Sequence, residues 1–189
     1  MTKDIDLQRT QLYINWLKEK LYLNYIAPNA KNRPIYRGEV YRCKFGFGIG
    51  SEQSKERPCL ILQYNPANLT SPNTIVAPIT HAPSNVPVVF PVETQKDLSG
   101  KVILDGNVLL GNITCVSKAR LGTYITKLSK KEMLAIDEII AKSLGILHHY
   151  TTLQNMYQDQ LQHLQKVKEK NEVLQKELCI LQQTITSVN

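Results

Sequence analysis

Residues 46–62, "GFGIGSEQSKERPCLIL", decide how the rest of the chain is read. Gly46, Gly48 and Gly50 stand at alternate positions, a polar run comes next, and Arg57-Pro58 opens an apolar run. A dinucleotide fingerprint needs G-x-G-x-x-G between a strand and a helix, and a P-loop needs G-K-[ST] opening a helix. In this chain the third glycine comes one residue early, no G-K-[ST] is present, and the residues from 57 onward have the composition of a strand. The glycines therefore read as the place where a strand end bends into a loop. That loop carries Ser51, Glu52 and Gln53 and ends at Arg57. A residue before proline is biased to extended backbone, so the Arg57 guanidinium is aimed from the start of a strand.

On both sides of this stretch the pattern is β. "GEVYRCKF" (38–45) alternates and "RPCLILQY" (57–64) is nearly continuous in apolar residues. "NTIVAPIT" (73–80), "VPVVFPV" (86–92) and "NVLLGNITCVS" (107–117) come after, separated by Pro, Asn, Gly and Ser. Short strands joined by turns predict a small barrel or a strongly bent sheet. Pro83, Pro87 and Pro91 demote their segment to an edge or a loop-like strand.

Helices flank the β region. "LSKKEMLAIDEIIAKSLG" (128–145) has an S-x-x-E capping box in Ser129 and Glu132, and Gly145 as its stop. Its buried stripe is Leu134, Ile136, Ile139, Ile140 and Leu144. Before the β region, residues 6–26 place Leu12, Tyr13, Trp16, Leu17, Leu21 and Tyr25 at helical spacing. This predicts an amphipathic helix packed on the main domain, followed by a linker through Pro28, Asn29, Asn32 and Pro34. Beyond Gly145, Tyr150, Leu153, Tyr157, Gln160, Leu164, Val167, Asn171, Leu174, Leu178, Leu181, Ile185 and Val188 step by alternating three and four residues. That is a heptad seam and predicts a coiled coil, or a long helix packed within the chain.

Composition bounds the function. The chain has 189 residues, 42% of them hydrophobic, a formal net charge of +7 and a pI near 9.2. That is one ordinary domain with extensions, and a balance that favours a polyanionic partner. Residues 1–35 carry +3, residues 36–146 carry +4 and residues 147–189 carry zero. The tail must do something other than grip phosphate. No signal peptide and no apolar run long enough to cross a bilayer is visible. Cys43, Cys59, Cys115 and Cys179 have no CxxC spacing. The first three sit in strand-like runs and read as small core residues of a reducing cytoplasm. His81, His148, His149 and His163 complete no metal-ligand pattern, so neither a metal nor another cofactor is expected.

Several pieces together resemble the MazF/PemK toxins, bacterial endoribonucleases that cut messenger RNA. They are "RGEVY" (37–41), "GSEQ" (50–53), "RPCLILQ" (57–63), "SPNTIVAPIT" (71–80), "NVLLGNITCVSKARLG" (107–122) and "SLGI" (143–146). Their order and spacing cover about residues 36–146 and make the resemblance more specific than any single motif. It implies an α+β fold: a small SH3-like β-barrel of the MazF/PemK/CcdB type with a C-terminal helix. The amphipathic helix would precede it and the coiled-coil helix would come after it. The domains would then be residues 1–35, helix and linker; 36–146, the endoribonuclease domain; and 147–189, the coiled-coil tail.

The resemblance further implies a homodimer that binds single-stranded RNA along the dimer groove and a separate antitoxin protein that covers it. It implies cleavage without a metal, through attack of the ribose 2'-OH on the neighbouring phosphorus. Family roles fall on Arg57 and Thr80 as the catalytic pair, and on Ser51, Glu52 and Gln53 as the loop beside the RNA. Glu52 is a candidate to accept the 2'-OH proton. His81 is its rival, because an imidazole changes charge near neutrality. The resemblance lends His81 no support, and its plainest reading is a turn histidine. One departure stands out: where many members have "EQIRT", this chain has "GNITC" (111–115), with Asn112 for a glutamine and Thr114 for an arginine. The alternative is a non-catalytic or CcdB-like interaction protein on the same fold, acting through protein partners.

Overall fold

A computed structural model describes residues 6–81 and 88–188. Three antiparallel strands form the centre of its sheet: β1 (Glu39–Gly46), β2 (Lys55–Ile61) and β3 (Asn73–Thr80). The registers Tyr41↔Cys59 and Leu60↔Ala77 fix which side chains share a face. With a side-chain period of two, Val40, Leu60, Leu62, Ala77 and Ile79 point into one core, while Tyr41, Cys43, Cys59, Ile61 and Val76 point into another. Both faces are covered, which explains why "RPCLILQY" reads as continuous rather than alternating. Each fully buried Leu or Ile contributes roughly 1.5–3 kcal/mol.

The remaining strands are short. They are β4 (Val89–Pro91), β5 (Gln95–Lys96), β6 (Val102–Leu104), β7 (Asn107–Leu109), β8 (Thr114–Ser117) and β9 (Leu121–Lys127). The sheet runs β4-β7-β3-β2-β1-β9, with β8 also paired to β3, and β5 and β6 form a separate hairpin. This corrects the expected barrel: among the described residues the sheet is open, and its edge strands β4 and β9 do not pair. The physical reason lies in β4. It is three residues long, and Pro91 has no N–H to offer a further neighbour. The gap is bridged by side chains instead: Val92 and Leu104 enter the first core, and Thr126 of β9 donates to Gln95 of the hairpin. The proline-rich edge reading holds at Pro91, whereas Pro83 and Pro87 lie outside the described residues.

Helix α1 (Leu7–Ala30) is longer than its pattern predicts and runs through Pro28. A proline one turn from the end removes one hydrogen bond and leaves the earlier turns intact. Its inward face is also different. Leu23 is buried and Trp16 half-buried, whereas Leu12, Leu17, Leu21 and Tyr25 are exposed. The helix is apolar on two sides, and residue spacing alone does not say which side packs.

A short helix that the sequence pattern does not signal, α2 (Asn65–Thr70), comes after β2. It buries Asn68, whose side chain donates to the Gln63 carbonyl and accepts from the Thr74 hydroxyl, each at 2.8 Å. Lys118, in a single 3-10 turn after β8, buries its chain and donates to the carbonyls of Asn68 at 2.5 Å and Lys31 at 3.0 Å. Desolvation pulls its ammonium below the usual lysine value.

Helix α3 (Lys130–Ser143) begins at the capping box read from the sequence. The Ser129 N–H and hydroxyl both donate to Glu132 at 2.8 Å, and the Glu132 N–H donates back at 3.2 Å. Gly145 adopts φ +70°, the left-handed stop. The chain then divides into two units between Ser143 and Leu144. The second is α4 (Ile146–Val188), 43 residues and about 65 Å of helix. Its seam residues Tyr150, Leu153, Tyr157, Leu164, Val167, Leu174 and Leu178 are all exposed. The side chains of Leu181, Ile185 and Val188 lie outside the described residues.

Candidate active site

Arg57 stands near the start of β2, paired with Cys43 of β1, and Thr80 is the last residue of β3. The antiparallel pairing of β2 with β3 brings the two together across one rim of the sheet. The Arg57 Nη1 donates to the Thr80 hydroxyl at 3.3 Å, and its Nε donates to the Ser54 carbonyl at 3.0 Å. The second bond ties the guanidinium to the loop just before it. Thr80 is 8% exposed, so its hydroxyl is a fixed feature of the site rather than a surface rotor. Its backbone is fixed from behind by Gly106, at φ +101°, where a β-carbon would lie 2.6 Å from the Thr80 carbonyl oxygen. Only glycine fits that approach.

These residues border an open cleft of about 410 Å³ whose wall also includes Arg42, Glu56, His81, Val102 and Asp105. His81 is the next residue after Thr80, and its Nε2 pairs with the Asp105 carboxylate. The cleft thus combines a forked cation, a fixed hydroxyl and an imidazole whose far partner is a carboxylate. Such a set can bind a phosphate, orient it and move a proton beside it.

Ser51, Glu52 and Gln53 are placed elsewhere. Ser51 is exposed in the loop between β1 and β2. Glu52 and Gln53 line a second groove of about 390 Å³, with Phe47, Asn112, Thr114, Cys115 and Arg120. The Glu52 carboxylate accepts from the Ile49 N–H at 2.9 Å and so closes its own loop. The predicted residues therefore fall into two groups. Arg57, Thr80 and His81 share a cleft, while Glu52 and Gln53 share the groove that contains the departures at 112 and 114. Of the two candidate bases, the structure brings His81 and not Glu52 to Arg57.

Sequence reasoning missed Asp105, Arg42, Glu56 and Arg120. Asp105-Gly106 reads as an ordinary turn signal, and its closeness to His81 depends on β7 pairing with the end of β3. Arg120 falls within one of the resembling motifs, but its place in the second groove comes only from the 3-10 turn. Among the described residues, no three His, Cys, Asp or Glu side chains gather as a metal site would require.

Comparison with known proteins bears on this geometry. Residues 36–144 match a family model described as PemK-like, MazF-like toxin of type II toxin-antitoxin system. A curated relative from Staphylococcus epidermidis, "Endoribonuclease MazF", is 36% identical over 112 residues, which is 59% of this chain and 92% of that protein. The crystal structure of MazF from Deinococcus radiodurans superposes with a TM-score of 0.52 at 17% identity, covering 60% of this chain and 98% of that one. An endoribonuclease in complex with its cognate antitoxin, from a mycobacterial species, matches with a TM-score of 0.49 and 26% identity, over 59% of this chain and 95% of that one. Helices α1 and α4 lie outside the residues that match the family model.

Proposed function

The chain belongs to the PemK-like, MazF-like toxins of type II toxin-antitoxin systems, and from that membership we propose that it is an endoribonuclease cutting single-stranded RNA, messenger RNA in particular, without a metal ion. The observation that carries this reading is the Arg57 fork held at 3.3 Å from the Thr80 hydroxyl in an open cleft.

The chemistry is internal transfer. The 2'-oxygen attacks the adjacent phosphorus, the P–O2' bond forms and the P–O5' bond breaks. The products are a 2',3'-cyclic phosphate and a 5'-hydroxyl. Negative charge builds on the non-bridging oxygens, where a planar, permanently cationic guanidinium is the most effective partner. Arg57 supplies it, and Thr80 orients the same phosphate. His81, steadied by Asp105, accepts the 2'-OH proton; its conjugate acid returns a proton to the departing 5'-oxygen. Glu52 is left with the loop, where Ser51, Glu52 and Gln53 meet the RNA.

The rest of the reading concerns assembly. We place the protein in the cytoplasm, where its substrate is, as a homodimer inhibited by a cognate antitoxin. Among the described residues, no helix is long and apolar enough to cross a membrane. In this reading residues 1–35 are an N-terminal helix and linker, 36–146 the nuclease domain and 147–189 a coiled-coil tail. The exposed seam on α4 is where residues 150–188 of two chains join as a coiled coil.

Mapping the cuts on a long transcript tests the activity. Wild-type protein is expected to cut at a short shared sequence and Arg57→Ala to leave the transcript whole. A wild-type protein that binds RNA or a protein target but cuts nothing would establish the interaction-protein alternative.

A further inference from the structure

Helix α1 precedes the residues that match the family and packs on the 3-10 turn Lys118–Arg120, and its side chains also reach the stretch from which the loop of Ser51, Glu52 and Gln53 springs. The Trp16 indole covers Gly46 so closely that a β-carbon there would fall 2.3 Å from the ring. The Arg120 guanidinium lies 5.4 Å from the same ring and donates to the Lys44 and Phe45 carbonyls, each at 3.0 Å. The Glu19 carboxylate accepts from the Lys44 ammonium at 2.5 Å. The Tyr13 and Phe47 rings meet with centroids 5.4 Å apart. Phe47 and Arg120 then line the second groove beside Glu52 and Gln53.

A segment built as G-F-G-I-G-S is costly to order, because glycine loses the most backbone freedom when fixed. If that ordering happens on RNA binding, affinity falls; if it is completed on folding, affinity is kept. We propose that α1 is an in-chain brace for this loop. Trp16 and Glu19 are positioning residues that hold Lys44–Phe47, and through them Glu52 and Gln53, in the RNA-ready arrangement. The proposal rests on the endoribonuclease reading. It adds that this chain supplies a support for the loop from outside the residues that match the family.

The brace and mere packing predict different kinetics. Arg57 and Thr80 are placed by β2 and β3, and the Ser54 carbonyl that also holds Arg57 adjoins β2 at the far end of the loop, so a loosened Lys44–Phe47 stretch raises KM for RNA while the rate at saturation is largely kept. A purely structural helix would instead lower the folded fraction and the rate together, with KM unmoved.

The test uses the full chain and initial rates of new 5'-hydroxyl ends against concentration of a long transcript. Trp16→Ala is expected to raise KM about tenfold, the equivalent of roughly one residue's backbone freedom. Trp16→Phe, which keeps a ring over Gly46, is expected to recover most of it. Glu19→Gln is expected to raise KM by a smaller factor and serves where Trp16→Ala does not fold. An unchanged KM in folded Trp16→Ala or in Glu19→Gln, with cleavage intact, overturns the brace. Trp16 is the sole tryptophan, so its emission reports the contact directly. Because the brace is complete before RNA binds, a single-stranded DNA copy of the transcript, which has no 2'-OH to react, is expected to leave that emission largely unchanged in both wild type and Arg57→Ala. A large shift at saturating copy, which would show that the contact forms only on binding, overturns the brace as well. Absence of any cleavage by wild type would instead overturn the nuclease reading, so the two failures are distinguishable.

Discussion

At the scale of single residues, activity turns on which side chains share a cleft. Arg57→Ala is expected to slow cleavage by about a hundredfold or more, since a lost transition-state donor costs roughly 2.7–4 kcal/mol. Arg57→Lys is expected to recover only part, because an ammonium cannot fork onto two phosphate oxygens. Kinetics at constant melting temperature check both. Thr80→Ala is expected to rank below Arg57→Ala, with Thr80→Ser close to wild type. His81 divides the sequence reading from the structural one. From residue types alone it is a rival of Glu52 as base, with a turn histidine its plainest reading. In the fold His81 faces Asp105, Arg57, Arg42 and Glu56 around one cleft, while Glu52 closes its own loop. His81→Ala is therefore expected to lower the rate at saturation by roughly a hundredfold. Glu52→Gln is expected to leave that rate largely in place and raise KM. The opposite pattern would return the proton to Glu52.

At the scale of elements, the central strands carry a pH dependence of their own. A hydrogen bond with Cys43, together with burial, pushes the Cys59 thiol well above its ordinary range. Burial, and the 2.9 Å hydrogen bond that the Tyr41 hydroxyl donates to Glu39, push the Tyr41 phenol up. Both groups keep their protons in the fold and lose them more readily in the unfolded chain. Raised folded values mean that this stability is complete below the ordinary thiol value of about 8.5 and is lost as pH climbs above it. The melting temperature is expected to stay level from about pH 6.5 to 8 and to fall above about pH 9. Replacing both groups, as Cys59→Val with Tyr41→Phe, is expected to flatten the alkaline fall. An equal fall in that double variant would contradict a thiol and phenol origin.

The same elements show what a sequence can disclose. The capping box of α3, the stop at Gly145 and the start of β2 near Arg57-Pro58 are local, so nearby residues suffice to read them. The open edge, the buried Asn68–Lys118 contact and the Asp105 partner of His81 depend on strand pairings between distant segments. Helix α1 is legible as a helix, but an apolar pattern on two sides leaves the packed face undetermined until Gly46 and Arg120 are in place.

At the scale of the whole molecule, charge and seam divide the labour. The excess positive charge lies before residue 147, so cleavage is expected to weaken steeply with added salt as phosphate contacts exchange with counterions. A rate indifferent to salt would argue against a polyanionic substrate. The tail, neutral and apolar along one stripe, is expected to join two chains. Asn171 sits at a seam position, and a polar residue there sets register and oligomer state at a cost in stability. An isolated 150–189 peptide is expected to be a helical dimer by sedimentation, with Asn171→Ile raising its melting temperature and loosening its choice of oligomer. A peptide that stays monomeric and gains helix only when residues 1–30 are added would show that the seam packs within one chain. The central claim, that the Arg57 cleft cuts RNA by 2'-OH attack without a metal, is met most directly by the ends it leaves. Purified protein is incubated with a single-stranded transcript in EDTA and the new termini are identified. The expected result is 5'-hydroxyl and 2',3'-cyclic phosphate ends at full rate; 5'-phosphate ends, or cleavage that returns only when a divalent ion is titrated back, would contradict the claim.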